Sequence, residues 1–476
     1  MRGCPDSIVG GSLDSWDYSF STSIKHICER KGTPYIISQT EICVNDIPEQ
    51  KAKNYLFSIK YKKGKMAITA VPGAGKTLVG LDVTAKYNDN ENNTKSVYLS
   101  GNGPLVQVLR KALINNAIDE EKKSRKKLDK EKRKRIESFV GYFIQEAYKF
   151  RKECFQNLDK TPIENVVIFD EAQRCWNKEK LSDWSKKKMG VNIDESEPHF
   201  FVNVMNKKPE WGVIICLVGL GQDIYDGEVG INEWFNSIIS DFPDWDLYFS
   251  PKIFNQIEDR NIDKEKIEDY PKSHKIDGIH LSTSIRSFRS EKLSEFVDCL
   301  LSNQCDKAKQ IYETIKTNYP IKITRDLNQA KKETRKKVRG SQRSGLVACS
   351  SAQRLKPEGI FVPTEIDVEN WFLAPKEDLR SSNALEIVAS EFKVQGLEID
   401  WAIVCWDADL RRTATGTDWD YYSFRGTKWQ RRNRPELKRY LLNSYRVLLT
   451  RARQGMVLFV PKGVDPEEDA TRDKKY

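Results

Sequence analysis

The sequence predicts an α/β chain built as two tandem layers, each a parallel sheet covered by helices. Three observations predict it. Nine short apolar runs are spaced along the chain with helix-compatible stretches between most of them, the pattern of parallel strands joined by crossover helices. One run, Met66 to Ala70, leads through a glycine-bearing turn directly into a helix that begins at Lys76. Nine strands also exceed what one compact mononucleotide fold takes, so the chain divides near Asp277. The expected organisation is an accessory segment over 1–45, a first layer over 46–276 with a charged insertion around 113–160, and a second layer over 277–476.

In chain order, the first forty-five residues show no clear period and carry several Gly, Ser and Thr positions, which makes them accessory rather than core. After Met66 to Ala70 the strand-like runs are Ser96 to Ser100, Asn165 to Asp170, Gly212 to Gly219, Gly278 to Leu281, Tyr319 to Thr324, Gly345 to Cys349, Ala402 to Trp406 and Met456 to Val460. Between the second and third lies Asp119 to Glu137, with ten basic and six acidic residues. It reads as a solvated helix with many opposite-charge neighbours, or as an insertion that contacts nucleic acid. No internal repeat or low-complexity tract interrupts the pattern.

Composition sets the outer bounds. A chain of 476 residues and 55.0 kDa is long enough for two or three domains, each with its own core. The net charge of +10 on a surface rich in both signs fits a polyanionic partner without identifying one. Ten cysteines without a CxxC pair, and four scattered histidines, argue against a zinc site. Cys216 and Cys405 sit among apolar neighbours and read as reduced core thiols. The longest apolar run, around Gly212 to Gly219, is too short to span a bilayer, and the N-terminus lacks a basic-then-apolar signal. A cytoplasmic protein with no membrane partner is expected.

The segment AVPGAGKT, Ala70 to Thr77, has the chemistry of a phosphate cradle. Gly73, Ala74 and Gly75 let backbone N–H groups approach phosphate, and the helix opened by Lys76, Thr77 and Leu78 presents its positive end. Lys76 can neutralise the β and γ phosphates, and the Thr77 hydroxyl can ligate Mg2+. The strict pattern has Gly where this chain has Ala70, a strand-end position whose ordinary φ tolerates a methyl group. About ninety residues on, VVIFDEAQ ends a strand in two carboxylates. Asp170 suits a magnesium ligand and Glu171 a base that positions the attacking water; on its own such a pair is often only a helix cap. Together the two segments point to binding and hydrolysis of ATP or GTP.

Later segments separate an NTP-driven motor from a simple switch. Gln222 in GLGQD follows an apolar strand and can report the γ-phosphate. SIRSFR with Arg286 opens the second half, and VQGLE and YRVLLTRAR close it. In a one-domain NTPase such distant arginines are surface residues or ion-pair partners. In a two-domain motor, Arg286 and Arg451 reach across a cleft and stabilise charge in the transition state.

The order AVPGAGKT, DEAQR, GLGQ, IRS, VQGLE, VLLTRAR resembles that of superfamily 1 helicases. The longer stretches SVYLSGNGPLVQVLRKAL, CLVGLGQDIYDGEVGINEW, LSTSIRSFRSEKLSEFV, ITRDLNQA and EFKVQGLEIDWAIVCWDADLRR resemble, more closely still, the bacterial Schlafen group-3-like DNA/RNA helicase family. The similarity runs from about Gln50 to the end and touches the stretch Trp16 to Ile24. It implies two RecA-like P-loop NTPase domains, ATP and Mg2+ as cofactors, and single-stranded DNA or RNA as partner. By matching position, Lys76, Thr77, Asp170 and Glu171 form the first-domain share of the site. Gln222, Arg286, Glu398 and Arg451 complete it, with Glu398 near the ribose and Arg451 at the γ-phosphate. Gln50 matches a glutamine that reads the adenine edge, although a lone glutamine on a helix is usually just solvated. Larger members of the family carry a nuclease-like domain upstream; here that activity is absent or a separate protein supplies it.

Two segments are candidates for the strand path. SGNGP places Ser100 and Asn102 where backbone N–H groups and hydroxyls hold strand phosphates. YYSFRGTKWQRRNR, with Trp429 and Arg431, interleaves rings that stack on bases with cations that track phosphates; the alternative is a loop whose tryptophan packs on its own domain. The expected function is an ATP-dependent helicase or single-strand translocase. Two alternatives stay open: an ATP-dependent nucleic-acid-binding switch, and the motor subunit of a larger, nuclease-containing and defence-related assembly.

Overall fold

The computed structural model describes residues 63–70, 76–88, 94–123, 129–209, 211–218, 230–256, 263–276, 280–281 and 288–475. The first sheet contains β1 (Lys63–Ala70), β2 (Ser96–Ser100), β3 (Ile144–Glu146), β4 (Val166–Asp170), β5 (Gly212–Val218), β6 (Asp246–Phe249), β7 (Ser273–Lys275) and β8 (His280–Leu281). Their order is β3-β2-β4-β5-β1-β6-β7, with β8 pairing on β1, and every pairing is parallel. Parallel strands are covered on both faces, which is why β2, β4 and β5 are buried along their whole length. Alternation sorts their side chains. Val97, Leu99, Phe169 and Cys216 pack with Phe201 and Trp234 on one face, while Tyr98, Ile168, Ile215 and Leu217 face the other.

The second sheet contains β9 (Ile321–Thr324), β10 (Ser344–Ala348), β11 (Val388–Ser390), β12 (Ile399–Cys405) and β16 (Ala452–Phe459), ordered β11-β10-β12-β16-β9 and again parallel. A small antiparallel sheet follows β12: β13 (Leu410–Arg412), β14 (Trp419–Arg425) and β15 (Lys428–Arg431). The architecture is therefore α/β, with two parallel sheets covered by helices, as expected. The first sheet takes in His280 and Leu281, so it reaches a few residues beyond Asp277.

One helix joins the layers. Gly103–Lys123 follows β2 and packs against the short helix Val368–Leu373 of the second layer. Its Leu105, Val106, Leu109 and Leu113 belong to an apolar cluster that continues into Leu346, Val394 and Leu397. Of the charged stretch, the described residues form the end of this helix, up to Lys123, and the start of Lys130–Phe143, capped by Asp129. Outward charges pair as Arg133–Glu137 and Arg135–Glu131, while Ile136, Val140 and Phe143 are buried. Among the described residues no helix is long and apolar enough to cross a membrane.

Candidate functional site

The site starts where the helix Lys76–Tyr87 rises after β1 and lies over β2, β4 and β5. Gly80 permits that close approach. A Cβ there would stand 2.7 Å from Leu217 Cδ1 and 2.8 Å from Tyr98 Cε2, so the ring of Tyr98 is wedged between helix and sheet. This brings the first helical turn over the C-terminal end of β4. Thr77 Oγ1 donates to Asp170 Oδ2 at 3.2 Å, and Tyr98 OH donates to the same oxygen at 2.5 Å. The other oxygen, Oδ1, accepts from the Glu171 N–H at 3.1 Å. Lys76 is itself buried.

Burial dominates the electrostatics. Asp170 is 3 % exposed, and its carboxyl is pushed up to about 6, first by burial and then by the neighbouring Glu171. Hydrogen bonds from Tyr98 and Thr77, and the charge of Lys76, pull the other way and lose. The Tyr98 hydroxyl is driven well above its ordinary range by burial and by Asp170, so it remains a donor.

Glu171 leaves the strand in the left-handed region, φ +54° and ψ 48°, one of three non-glycine residues with positive φ among those described. Its side chain is half-exposed, and Gln173 Nε2 donates to Glu171 Oε2 at 2.5 Å. The next residue crosses to the second layer: Arg174 Nη1 donates to Gln395 Oε1 at 3.1 Å. The Gln395 carbonyl in turn accepts from Asn102 Nδ2 at 2.6 Å. Gly396 follows at φ +76°, and a Cβ there would meet Asn102 Nδ2 at 3.1 Å. DEAQR, SGNGP and VQGLE, far apart in sequence, thus converge at one junction.

The expected residues divide into groups. Lys76, Thr77, Asp170 and Glu171 come together. Leu78 packs on the adjoining core. Gln50, Gly73, Ala74, Gly75, Gln222 and Arg286 lie outside the described residues. Arg451 is buried at the end of the helix Pro435–Leu449, its Nε donating to Val447 O at 3.0 Å and its Nη2 to Thr450 Oγ1 at 3.3 Å. Its carbonyl accepts from the Ile399 N–H at 3.2 Å. Ile399 is four residues past Gln395, which bounds their Cα separation at about 14 Å. Arg451 thus sits beside the segment that touches the first layer. Glu398 pairs with Arg453 at 3.8 Å.

The strand candidates are held largely by contacts within the fold, and Trp429 follows the second of its two expected readings. Ser100 and Asn102 are buried, and their side chains serve the fold: Ser100 Oγ accepts from the Asn102 N–H, and Asn102 Oδ1 accepts from Leu105 N, closing the first turn of the connecting helix. Of that stretch Gly101 is the exposed residue. Trp429 is half-buried in its own domain, donating to Thr471 O at 2.8 Å and standing edge-on to Phe424. Arg431 is exposed and pairs with Asp420 at 2.5 Å. The expected aromatic loop is a β-hairpin turning at Gly426, φ +60°.

Tyr98, Gln173, Arg174 and Gln395 were missed as site residues. A tyrosine between Val97 and Leu99 in a fully buried strand signals that its hydroxyl needs a buried partner, although the partner's identity is set by strand register, Ser100 lying opposite Asp170.

The model of the family described as "Schlafen group 3, DNA/RNA helicase domain" matches residues 64–462. No curated protein matches the chain. Among solved structures, the chain is similar to the Pif1 helicase from Candida albicans at 10 % identity, over 88 % of this chain and 94 % of that one, with a TM-score of 0.33. It is also similar to the DUF1998 helicase MrfA bound to DNA and AMPPNP, at 12 % identity over 97 % of this chain and 51 % of that one, with a TM-score of 0.33; the chain spans about half of MrfA. A third is the Pyrococcus furiosus Hef helicase domain, at 11 % identity over 88 % of this chain and 96 % of that one, with a TM-score of 0.28.

Proposed function

The chain belongs to the Schlafen group 3 DNA/RNA helicase domain family, and on that premise we propose that it is an ATP-dependent, superfamily 1-type helicase or single-strand translocase that hydrolyses ATP between two RecA-like layers. The observation that carries this reading is the Arg174–Gln395 bond, because it ties the carboxylate segment of the first layer to the motif that opens β12 in the second. A switch confined to one layer has no need of that tie.

The donor set fits a magnesium nucleotide. Thr77 Oγ1 and Asp170 Oδ2 are hard oxygens 3.2 Å apart. Adjacent ligands of an octahedral ion with bonds of about 2.1 Å stand roughly 3 Å apart. Bound there, Mg2+ would offset phosphate charge. Lys76 at the helix start would hold the terminal phosphates, and Tyr98 would keep the Asp170 carboxylate aimed. Glu171 would orient water and take its proton, with Gln173 fixing the carboxylate's rotamer. Arg451 would reach the γ-phosphate only by leaving its own helix end, so its role requires closure of the layers. Coupling of that closure to a bound strand would run through Gln395 and Asn102.

The test is the ATPase rate measured with single- and double-stranded DNA and RNA. Stimulation by a single strand, abolished in Lys76→Ala, is expected. Binding through phosphates should weaken steeply with salt. An ATPase indifferent to every nucleic acid would sink the reading. Stimulation without directional displacement of a blocked strand would leave only a switch.

A further inference from the structure

Ile321 and Ile323 of β9, with Met456 and Leu458 of β16, lie two residues apart on their strands and therefore face one side of the second sheet. Beneath the helices Phe288–Leu301 and Cys305–Ile315 they floor a cavity of about 630 Å³. Phe296 and Tyr312 line it from the helices, and Trp406 from the end of β12. Its far wall is the segment 460–474, most of which lies beyond the span matched by the family. That wall is built in: Asp469 pairs with Arg354, Arg472 pairs with Glu358, and the Thr471 carbonyl accepts from Trp429 Nε1. The volume is in the range of ligand sites, which are mostly apolar with a few convergent polar groups. None of the candidate nucleotide or strand residues lines it.

Seven cations line this cavity: Arg411 lies over the rings of Tyr422 and Trp429, and the other six are of two kinds. Arg354, Arg472 and Lys474 are each matched by a carboxylate. Lys309, Arg412 and Lys462 also line it, and among the described residues none of the three forms an ion pair. Arg412 instead leans on Asn303 Oδ1 and over the ring of Trp419, 3.9 Å from its centroid. Of the two acids in the lining, Asp473 faces Lys475 at 4.0 Å. Asp407 is buried and accepts from the backbone N–H groups of Ala408 and Arg354. An apolar chamber with unmatched positive charge at its wall calls for an occupant of complementary charge.

We propose that this cavity binds an anionic amphiphile, a small molecule whose apolar body fills the space over β9 and β16 and whose phosphate, sulfonate or carboxylate head meets Lys309, Arg412 and Lys462. The full chain is titrated with anilinonaphthalene sulfonate and with its uncharged analogue N-phenyl-1-naphthylamine, following fluorescence. One sulfonate per chain should bind, about tenfold or more tighter than the analogue. The pair Lys309→Glu and Lys462→Glu, both on exposed side chains, should erase most of that preference and leave the analogue's affinity unchanged. Ala308→Trp, which plugs the cavity, should weaken both probes; where that variant does not fold, the lysine pair decides alone. Equal affinity for the two probes overturns the proposal, as does displacement of the sulfonate by ATP. So does undiminished binding by a folded Ala308→Trp, or no binding by the folded parent chain.

Discussion

Asp170→Asn should make the nucleotide-free protein more resistant to unfolding at neutral pH than the parent, with a gain that disappears in acid. The ordinary value of the carboxyl is 3.8, and burial raises it to about 6 in the folded chain. The folded state therefore holds the proton more tightly than the unfolded state does. Its contribution to stability is fully present below about pH 4 and lost as pH rises through about 6. Two pH units at 1.36 kcal/mol each amount to roughly 3 kcal/mol by pH 8. Asparagine never pays this electrostatic cost. Its carbonyl can replace Oδ1 as acceptor for Glu171 N–H, while its amide faces the hydroxyls of Thr77 and Tyr98. The Tyr98 proton then lacks its acceptor, a loss of about 1 kcal/mol that applies at every pH. Subtracting the urea unfolding free energies of the two proteins at pH 4 and at pH 8, in chelator, isolates the ionisation. The difference should grow in favour of the variant by about 2–3 kcal/mol between those limits. A difference that stays flat, or moves the other way, would refute the claim that an incompletely compensated buried carboxylate sits at the end of β4.

Three further outcomes follow from the same geometry. Tyr98→Phe removes a hydrogen bond that holds the Asp170 carboxyl down, so magnesium-dependent ATP turnover should fall more at pH 6 than at pH 8; an equal loss at both would show that the phenol acts only as packing. Gln395→Ala cuts the Arg174 tie and should lower nucleic-acid stimulation of ATP hydrolysis about tenfold, the value of one charge-assisted bond; an unchanged ratio of stimulated to unstimulated rate would remove the junction from the coupling. Gly80→Ala forces a methyl group against Leu217 and Tyr98 and should cost about 1–3 kcal/mol, read as a lowered melting temperature; a neutral effect would mean that the helix shifts freely on the sheet.

Strands buried on both faces announce themselves as unbroken apolar runs, and each of the nine expected runs overlaps a strand. Short strands near the sheet margins do not. Ile144–Glu146 and Ser273–Lys275 have three residues each, and β6 alternates buried with half-buried positions, so neither length nor pattern separates them from loops. Lys76, Thr77, Asp170 and Glu171 could be read locally because each belongs to a contiguous motif with fixed chemistry. Tyr98 and Gln395 could not, since their roles come from register and from the docking of two layers. Ser100 and Asn102 carry two readings for the same reason: the polar character that suits a phosphate contact also suits a helix cap and a bond across the junction. Trp429 lies in a hairpin whose local sign was Gly426 between an aromatic-rich run and the short segment that holds this tryptophan.

The left-handed backbone at Glu171 gives two adjacent acids opposite surroundings. Asp170 stays roofed by the helix and the phenol, whereas Glu171, where the chain reverses its hand, is half-exposed. Holding a residue that has a Cβ in that conformation costs about 1–2 kcal/mol, and glycine would relax it. Glycine would also delete the carboxylate that Gln173 holds. Backbone comfort and chemical competence are therefore in direct conflict at one position, and the fold resolves the conflict against its own ease.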